Sequence, residues 1–203
     1  MKLDGIKVLD LSQFLPGPHL TMTMADHGAS VIMVEPKNGV GEPVRAMGAR
    51  TADGVTVWFR NIARGKHSIA LDLKDAGDKA TFLKLAADAD VIVEAFRPGV
   101  VKRLGIDYDT VAAGNPRVVY CSISAFGQDG PLRDKPSHDL GVQALAGTLD
   151  LSRGFSDDKP NMPNLVAAYL ASSLTALSAI LMALLAREKT GKGDYIDIAM
   201  YDS

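Results

Sequence analysis

The sequence predicts an α/β fold: a parallel β-sheet flanked by helices. Two observations carry this. Apolar, β-branched runs recur along the chain, and stretches of helical character separate them. Alternation of that kind builds βαβ units with right-handed crossovers. The chain is also large enough to fill such a fold: 47% of its 203 residues are hydrophobic, so it can bury a real core.

The elements follow in order from local pattern. Ile6–Leu11 reads as the first strand, bounded by Gly5. Leu15-Pro16-Gly17-Pro18 reads as a turn, and a helix follows from His19 to His27, stopped at Gly28. Ser30–Glu35 is a second, buried strand. Pro36–Gly54 is punctuated by Gly and Pro and holds Lys37, Arg45 and Arg50, so it reads as a functional loop. Ser68–Leu73 is a strand, Ala76–Ala89 a helix and Val91–Glu94 a strand. Val100–Leu104 and Asp107–Ala113 read as short helices, ended by Gly105 and by Asn115-Pro116. Val118–Ser124 is a strand. Ser152–Pro163 is a polar connection, Asn164 the expected N-cap of a long helix, and Thr190-Gly191 its end. Asp194–Met200 alternates like a last strand, and the chain then stops without a closing element, as part of a longer protein would.

Leu165–Ala186 contains no charged residue and is long enough to span a bilayer. It is rich in Ala, Ser and Thr, however. Leu165, Tyr169, Leu170, Leu174, Leu177, Leu181 and Leu184 recur at helical spacing, as on one core face. The segment is read as a buried helix of a soluble protein, with no membrane partner. A net charge of −2 lacks the basic excess of a nucleic-acid binder. The single cysteine, Cys121, excludes an intrachain disulfide and suits a reducing compartment. The N-terminus carries Asp4 early and no apolar core, so no signal peptide is expected and the setting reads as cytoplasmic.

In parallel sheets, ligands gather at the C-terminal ends of strands. That rule points to Gln13–Pro18, Glu35–Arg50, Lys74, Phe96-Arg97, Ser124–Gly127 and the pair His138-Asp139. Cations there suit a phosphorylated ligand, and Phe96 suits stacking on a base. The usual nucleotide signatures are missing: Leu15-Pro16-Gly17-Pro18 stands where a dinucleotide fingerprint would begin, and Thr190-Gly191-Lys192-Gly193 is too late for a phosphate loop. No Cys/His cluster has metal-ligand spacing, so no metal is expected. Each candidate also has a plain reading. Asp139 is a favoured helix N-cap. His138 suits a loop, Arg97, Arg103 and Lys74 a solvated surface, and Cys121 a buried apolar site.

The order of blocks resembles the family III CoA-transferases, a group that also contains the α-methylacyl-CoA racemases. The resemblance runs through Leu9-Asp10-Leu11 with Pro16-Gly17-Pro18, Ala25–Pro36, Gly41–Arg45, and Asn61–Lys74. It is most specific over Ala89–Gly99, Arg103-Leu104-Gly105, Asn115-Pro116-Arg117 and Ser122–Pro131, and it closes with Thr190–Gly193 and Ile196–Asp202.

The resemblance implies a Rossmann-like CoA-binding part over residues 1–163. Residues 164–203 would form a long buried helix and a strand leading towards a second domain. It implies a chain about twice this length, in interlocked homodimers. Coenzyme A and acyl-CoA would be substrates rather than resident cofactors, with a carboxylic acid as the other partner. CoA contacts would fall on Gln13, Phe14, Leu15, Leu71, Lys74, Ala95, Phe96, Arg97, Arg103, Leu104 and Ser124. Asp139 would be the catalytic carboxylate, passing through an aspartyl anhydride and an aspartyl-CoA thioester, with His138 as an auxiliary group. The racemase alternative pairs His138-Asp139 with a second acid after the next loop, and Ala168 stands at that place. A CoA-binding part without catalysis is a further alternative.

Overall fold

In a computed structural model, which describes residues 1–151 and 162–203, six strands form one parallel sheet. They are β1 (Lys7–Asp10), β2 (Ser30–Pro36), β3 (Lys66–Leu71), β4 (Val91–Glu94), β5 (Val119–Ser124) and β6 (Asp194–Ala199). Their order across the sheet is β3-β2-β1-β4-β5-β6. The chain builds outward from β1 to β3, then returns to start again beside β1. That reversal makes a topological switch point between β1 and β4, where α/β sheets open a crevice at their carboxyl ends.

Two apolar layers cover the sheet. On one face α1 (Pro16–Asp26) and α8 (Ala167–Thr190) pack Leu20, Met24, Ala176 and Ile180 against Val8, Val93 and Cys121. On the other, α3 (Ala76–Ala86) and α5 (Tyr108–Gly114) bring Phe82, Ala86 and Val111 onto Leu9, Ile92 and Tyr120. α2 (Val57–Ile62), α4 (Val100–Leu104), α6 (Asp139–Leu145) and α7 (Thr148–Leu151) are short. Cys121 is free and fully buried, and burial pushes its thiol up, so it behaves as a small apolar group.

The structure corrects several boundaries. Pro16-Gly17-Pro18 is the first turn of α1 rather than a separate turn. Proline at the start of a helix gives up only an N–H that would be unpaired anyway. Gly17 is required there, because a Cβ would lie 2.0 Å from Ser12 Oγ. α2 was not expected from the sequence; Thr56 caps it, accepting the Phe59 N–H at 3.2 Å. α8 begins at Ala167, and Asn164 is not its cap. The connection read over Ser152–Pro163 lies outside the described residues except at Met162 and Pro163.

α8 turns a different face inward from the one its leucine spacing predicts. Ser172, Ser173, Ala176, Ile180, Ala183 and Leu184 are buried, while Leu165, Leu174 and Leu181 are exposed. Small residues let the helix lie close to the sheet, and tight packing rather than side-chain hydrophobicity decides which face turns inward. Leu184 alone of the expected leucines is buried; Leu177 and Tyr169 are partly buried against the core.

Candidate functional site

The switch point carries two adjoining hollows. The first, about 240 Å³, is walled by Gln13, Phe14, Ala95, Phe96, Arg97, Ser124 and His138, among others. The second, about 330 Å³, is walled by Leu71, Lys74, Lys37, Leu104 and again Gln13 and Phe96. Gln13 and Phe96 therefore stand on the ridge between them, and the two read as one cleft. Of the expected ligand contacts, Leu15 and Arg103 do not line it. Leu15 is the residue at the start of α1, and Arg103 is exposed on α4.

Elementary chemistry fits this cleft to a long, anionic, partly apolar ligand. Arg97, Arg133 and Lys135 border the first hollow, with Asp134, and Lys37 and Lys74 the second, with Glu35 and Asp72. Lys37 is engaged by Asp78 at 3.3 Å and Arg133 by Asp134 at 3.5 Å, so Arg97, Lys135 and Lys74 are the cations best placed for charge-assisted bonds to phosphate. Phe96 offers a ring between them. Ser124 Oγ is buried in the wall with no hydrogen-bond partner among the described residues, a group that a ligand can satisfy.

The turn that carries Gln13 and Phe14 is fastened from below. Asp10, at the end of β1, is fully buried and accepts from the Ser12 N–H at 3.0 Å. Ser12 Oγ and Thr21 Oγ1 also donate to it. Lys66 Nζ reaches the same carboxylate at 3.0 Å and donates to Pro18 O at 2.9 Å. Nothing in the sequence marked Asp10 and Lys66 as a pair; they stand 56 residues apart.

Glu94 ends β4 beneath the Phe96 ridge. It accepts the Phe96 N–H at 2.8 Å and is 1% exposed. Burial pushes its carboxyl up to about 7; the Asp197 charge adds to this, while hydrogen bonds from Ser122 and the Phe96 amide oppose it.

His138 and Asp139 lie at the start of α6, and the structure separates their surroundings. His138 is exposed in the cleft wall, its Nδ1 2.7 Å from Tyr169 Oη and its ring edge-on to Phe14 at 6.1 Å. Asp139 is 6% exposed and is not part of that wall. One oxygen accepts the Tyr169 N–H at 2.9 Å and the other the amide of Gln143, one turn along α6. Tyr169 is the third residue of α8. Asp139 therefore caps a helix, as its residue type suggested, but the helix is α8 and not its own. Gln143 and Tyr169 belong to this cluster and were not foreseen. The signal for Gln143 lay in its i,i+4 spacing from Asp139, visible only once the helix start is known, while Tyr169 stands 30 residues from Asp139 and gave none.

Comparison with known proteins agrees with the architecture. A model of CoA-transferase family III matches residues 3–203. The chain is 43% identical over 200 residues to the acetyl-CoA:oxalate CoA-transferase of Acetobacter aceti, covering 98% of this chain and 51% of that protein. It is 36% identical over 201 residues to the succinyl-CoA:glutarate CoA-transferase of Mus musculus, covering 99% and 46%. A crystal structure of a CaiB/BaiF family protein from Brucella suis superposes with a TM-score of 0.92 at 35% identity, over 98% of this chain and 53% of that one. The chain thus spans about half the length of the relatives it matches.

Proposed function

The chain belongs to CoA-transferase family III, and on that premise we propose that it holds the CoA cleft of an enzyme moving CoA from an acyl-CoA to a free carboxylic acid. The cleft at the β1/β4 switch point carries this reading: cations at both ends, the Phe96 ridge between, and in its wall the Ser124 hydroxyl, unpartnered among the described residues. The two relatives above are named for transfers between acyl-CoA thioesters and dicarboxylates, which supports substrates of that class. The reading includes CoA as substrate rather than resident cofactor, a homodimer of the longer protein, and a cytoplasmic setting.

In the transferase mechanism, a carboxylate attacks the thioester carbonyl and releases CoA thiolate, leaving a mixed anhydride. The thiolate attacks the enzyme's acyl carbon, frees the first acid and leaves an enzyme thioester. The acceptor carboxylate then repeats the two steps in reverse order and departs as its CoA thioester. On the family resemblance this carboxylate is Asp139. A second reading is favoured by the closure of Asp139, whose two oxygens are engaged by Tyr169 N–H and Gln143. There Asp139 anchors α8, and the chain binds acyl-CoA without an aspartyl intermediate.

Full-length protein, incubated with a panel of acyl-CoA donors and carboxylic acids and read by mass, tests the activity. CoA transfer to any acid supports it; CoA binding with no transfer to any acid removes it. Hydroxylamine trapping separates the two readings. Label on Asp139 establishes the first and transfer that survives Asp139→Asn removes it, while CoA binding with no transfer to any acid supports the second. The racemase alternative requires α-proton exchange of an α-methylacyl-CoA in D2O, and its absence excludes that chemistry.

A further inference from the structure

Phe14 has φ 64, the only positive value outside glycine among the described residues. A bulky side chain keeps such a backbone only where its surroundings enforce it. The enforcing group comes from the loop after β2. Glu42 is 1% exposed, and its Oε1 accepts the Phe14 N–H at 2.7 Å while Oε2 accepts the Val44 N–H at 2.6 Å.

Glu42 is itself fixed in place. Its own N–H donates to Glu35 Oε2 at 2.7 Å. Glu35 takes two bonds from Arg45, each at 2.6 Å, and one from Ser68. Burial pushes the Glu35 carboxyl up, but Arg45, Ser68 and the Glu42 amide together hold it below its usual range. The Arg45 guanidinium lies 3.8 Å from the centre of the Phe59 ring. Gly41 permits the close approach: it has φ +76, and a Cβ there would lie 2.4 Å from Glu35 Oε2. A run of built contacts thus leads from Arg45 through Glu35 and Glu42 to the Phe14 amide.

We propose that Glu42 is a positioning residue for the cleft, acting through Phe14. By holding that amide it keeps Phe14 left-handed, so the ring meets His138 edge-on at 6.1 Å in the cleft wall. With the acceptor gone, the backbone at Phe14 relaxes to an ordinary conformation and redirects the ring. The inference rests on the cleft being an acyl-CoA site.

The test measures CoA affinity and steady-state kinetics in the full-length protein. Glu42→Leu keeps the bulk and removes the acceptor; the expected result is about tenfold weaker CoA binding, roughly 1.4 kcal/mol. Glu42→Gln offers one acceptor oxygen for the two N–H donors and turns its NH2 towards the other, so it is expected to lose affinity to a smaller extent than Glu42→Leu. In a Phe14→Gly background, where a left-handed backbone is unstrained, Glu42→Leu is expected to cause no further loss. A lowered unfolding temperature with unchanged affinity overturns the inference, as does the same tenfold loss in the Phe14→Gly background. If Glu42→Leu does not fold, Glu42→Gln decides: weaker CoA binding that disappears in the Phe14→Gly background supports the inference, and unchanged binding overturns it. Wild-type protein that binds no CoA overturns the cleft reading and this inference with it. Wild-type binding with an unaffected Glu42→Leu overturns the inference alone.

Discussion

Lys66→Met is expected to be among the most damaging single changes in this chain. Lys66 and Asp10 both have side chains with no solvent exposure, and the ammonium lies 3.0 Å from the carboxylate. Lys66 also donates to Thr21 Oγ1 at 2.7 Å and Pro18 O at 2.9 Å. Methionine fills much of the same space but supplies none of these bonds. Asp10 would then be a buried charge with, among the described residues, only Ser12 and Thr21 as donors. Breaking one side of a buried pair costs about 3–5 kcal/mol. Adding Asp10→Asn removes the stranded charge, so the double variant is expected to recover about 1–3 kcal/mol of that loss, as contacting groups couple. Urea unfolding followed by circular dichroism measures each midpoint. A loss below about 1 kcal/mol for Lys66→Met, or a double variant less stable than the single, would refute the reasoning, because each would mean the pair is not desolvated. Since the pair secures the turn bearing Gln13 and Phe14, CoA affinity is expected to fall with it.

Three further outcomes follow from the same physics. Glu94 titrates near 7 in the fold against an ordinary 4.5. Above 4.5 the unfolded chain loses that proton first, so stability falls as pH rises between these values and levels off above 7. Glu94→Gln is expected to remove that slope and to be more stable than wild type above pH 7, by up to about 3 kcal/mol; identical pH–stability curves would contradict this. Ala176→Leu, on the fully buried small-residue face of α8, is expected to cost about 1–3 kcal/mol by overpacking, and an unchanged melting temperature would show that α8 does not lie close to the sheet. Ile180→Ala is expected to cost about 2–5 kcal/mol, because Ile180 has no solvent exposure.

The strands were legible because their runs are apolar and β-branched, and that pattern has few alternative explanations. The strand order was not, since register depends on partners far along the chain. The long helix was legible as a helix but not by face. Leucine spacing pointed to Leu174 and Leu181, whereas close packing put Ser172, Ser173 and Ala176 inward. The ends of β1, β4 and β5 located most of the cleft, because the carboxyl-end rule depends only on strand direction. Glu42 lay inside the Glu35–Arg50 stretch but its partner Phe14 did not show, and Lys66 and Gln143 were not legible as site residues, because each acts by a contact that crosses elements or depends on an exact helix start.

Asp139 shows why residue type alone does not settle a role. A carboxylate beside a histidine at a helix start suits a cap and a nucleophile equally well. The two roles ask opposite things of its surroundings. A cap is stabilised by donors that occupy both oxygens, while a nucleophile needs one oxygen aimed at a carbonyl. Here Tyr169 N–H and Gln143 occupy both, and the neighbours His138 and Tyr169 are the groups that face the cleft. The Gln143 contact is the movable one, since it is a side chain within α6, whereas the Tyr169 amide is fixed in α8. If Asp139 is the nucleophile, the Gln143 hydrogen bond draws charge from one of its oxygens, and Gln143→Leu should speed hydroxylamine trapping at Asp139. If it is only a cap, the same change leaves a buried carboxylate short of a donor. Then α8 loosens and stability falls, with no label at that position.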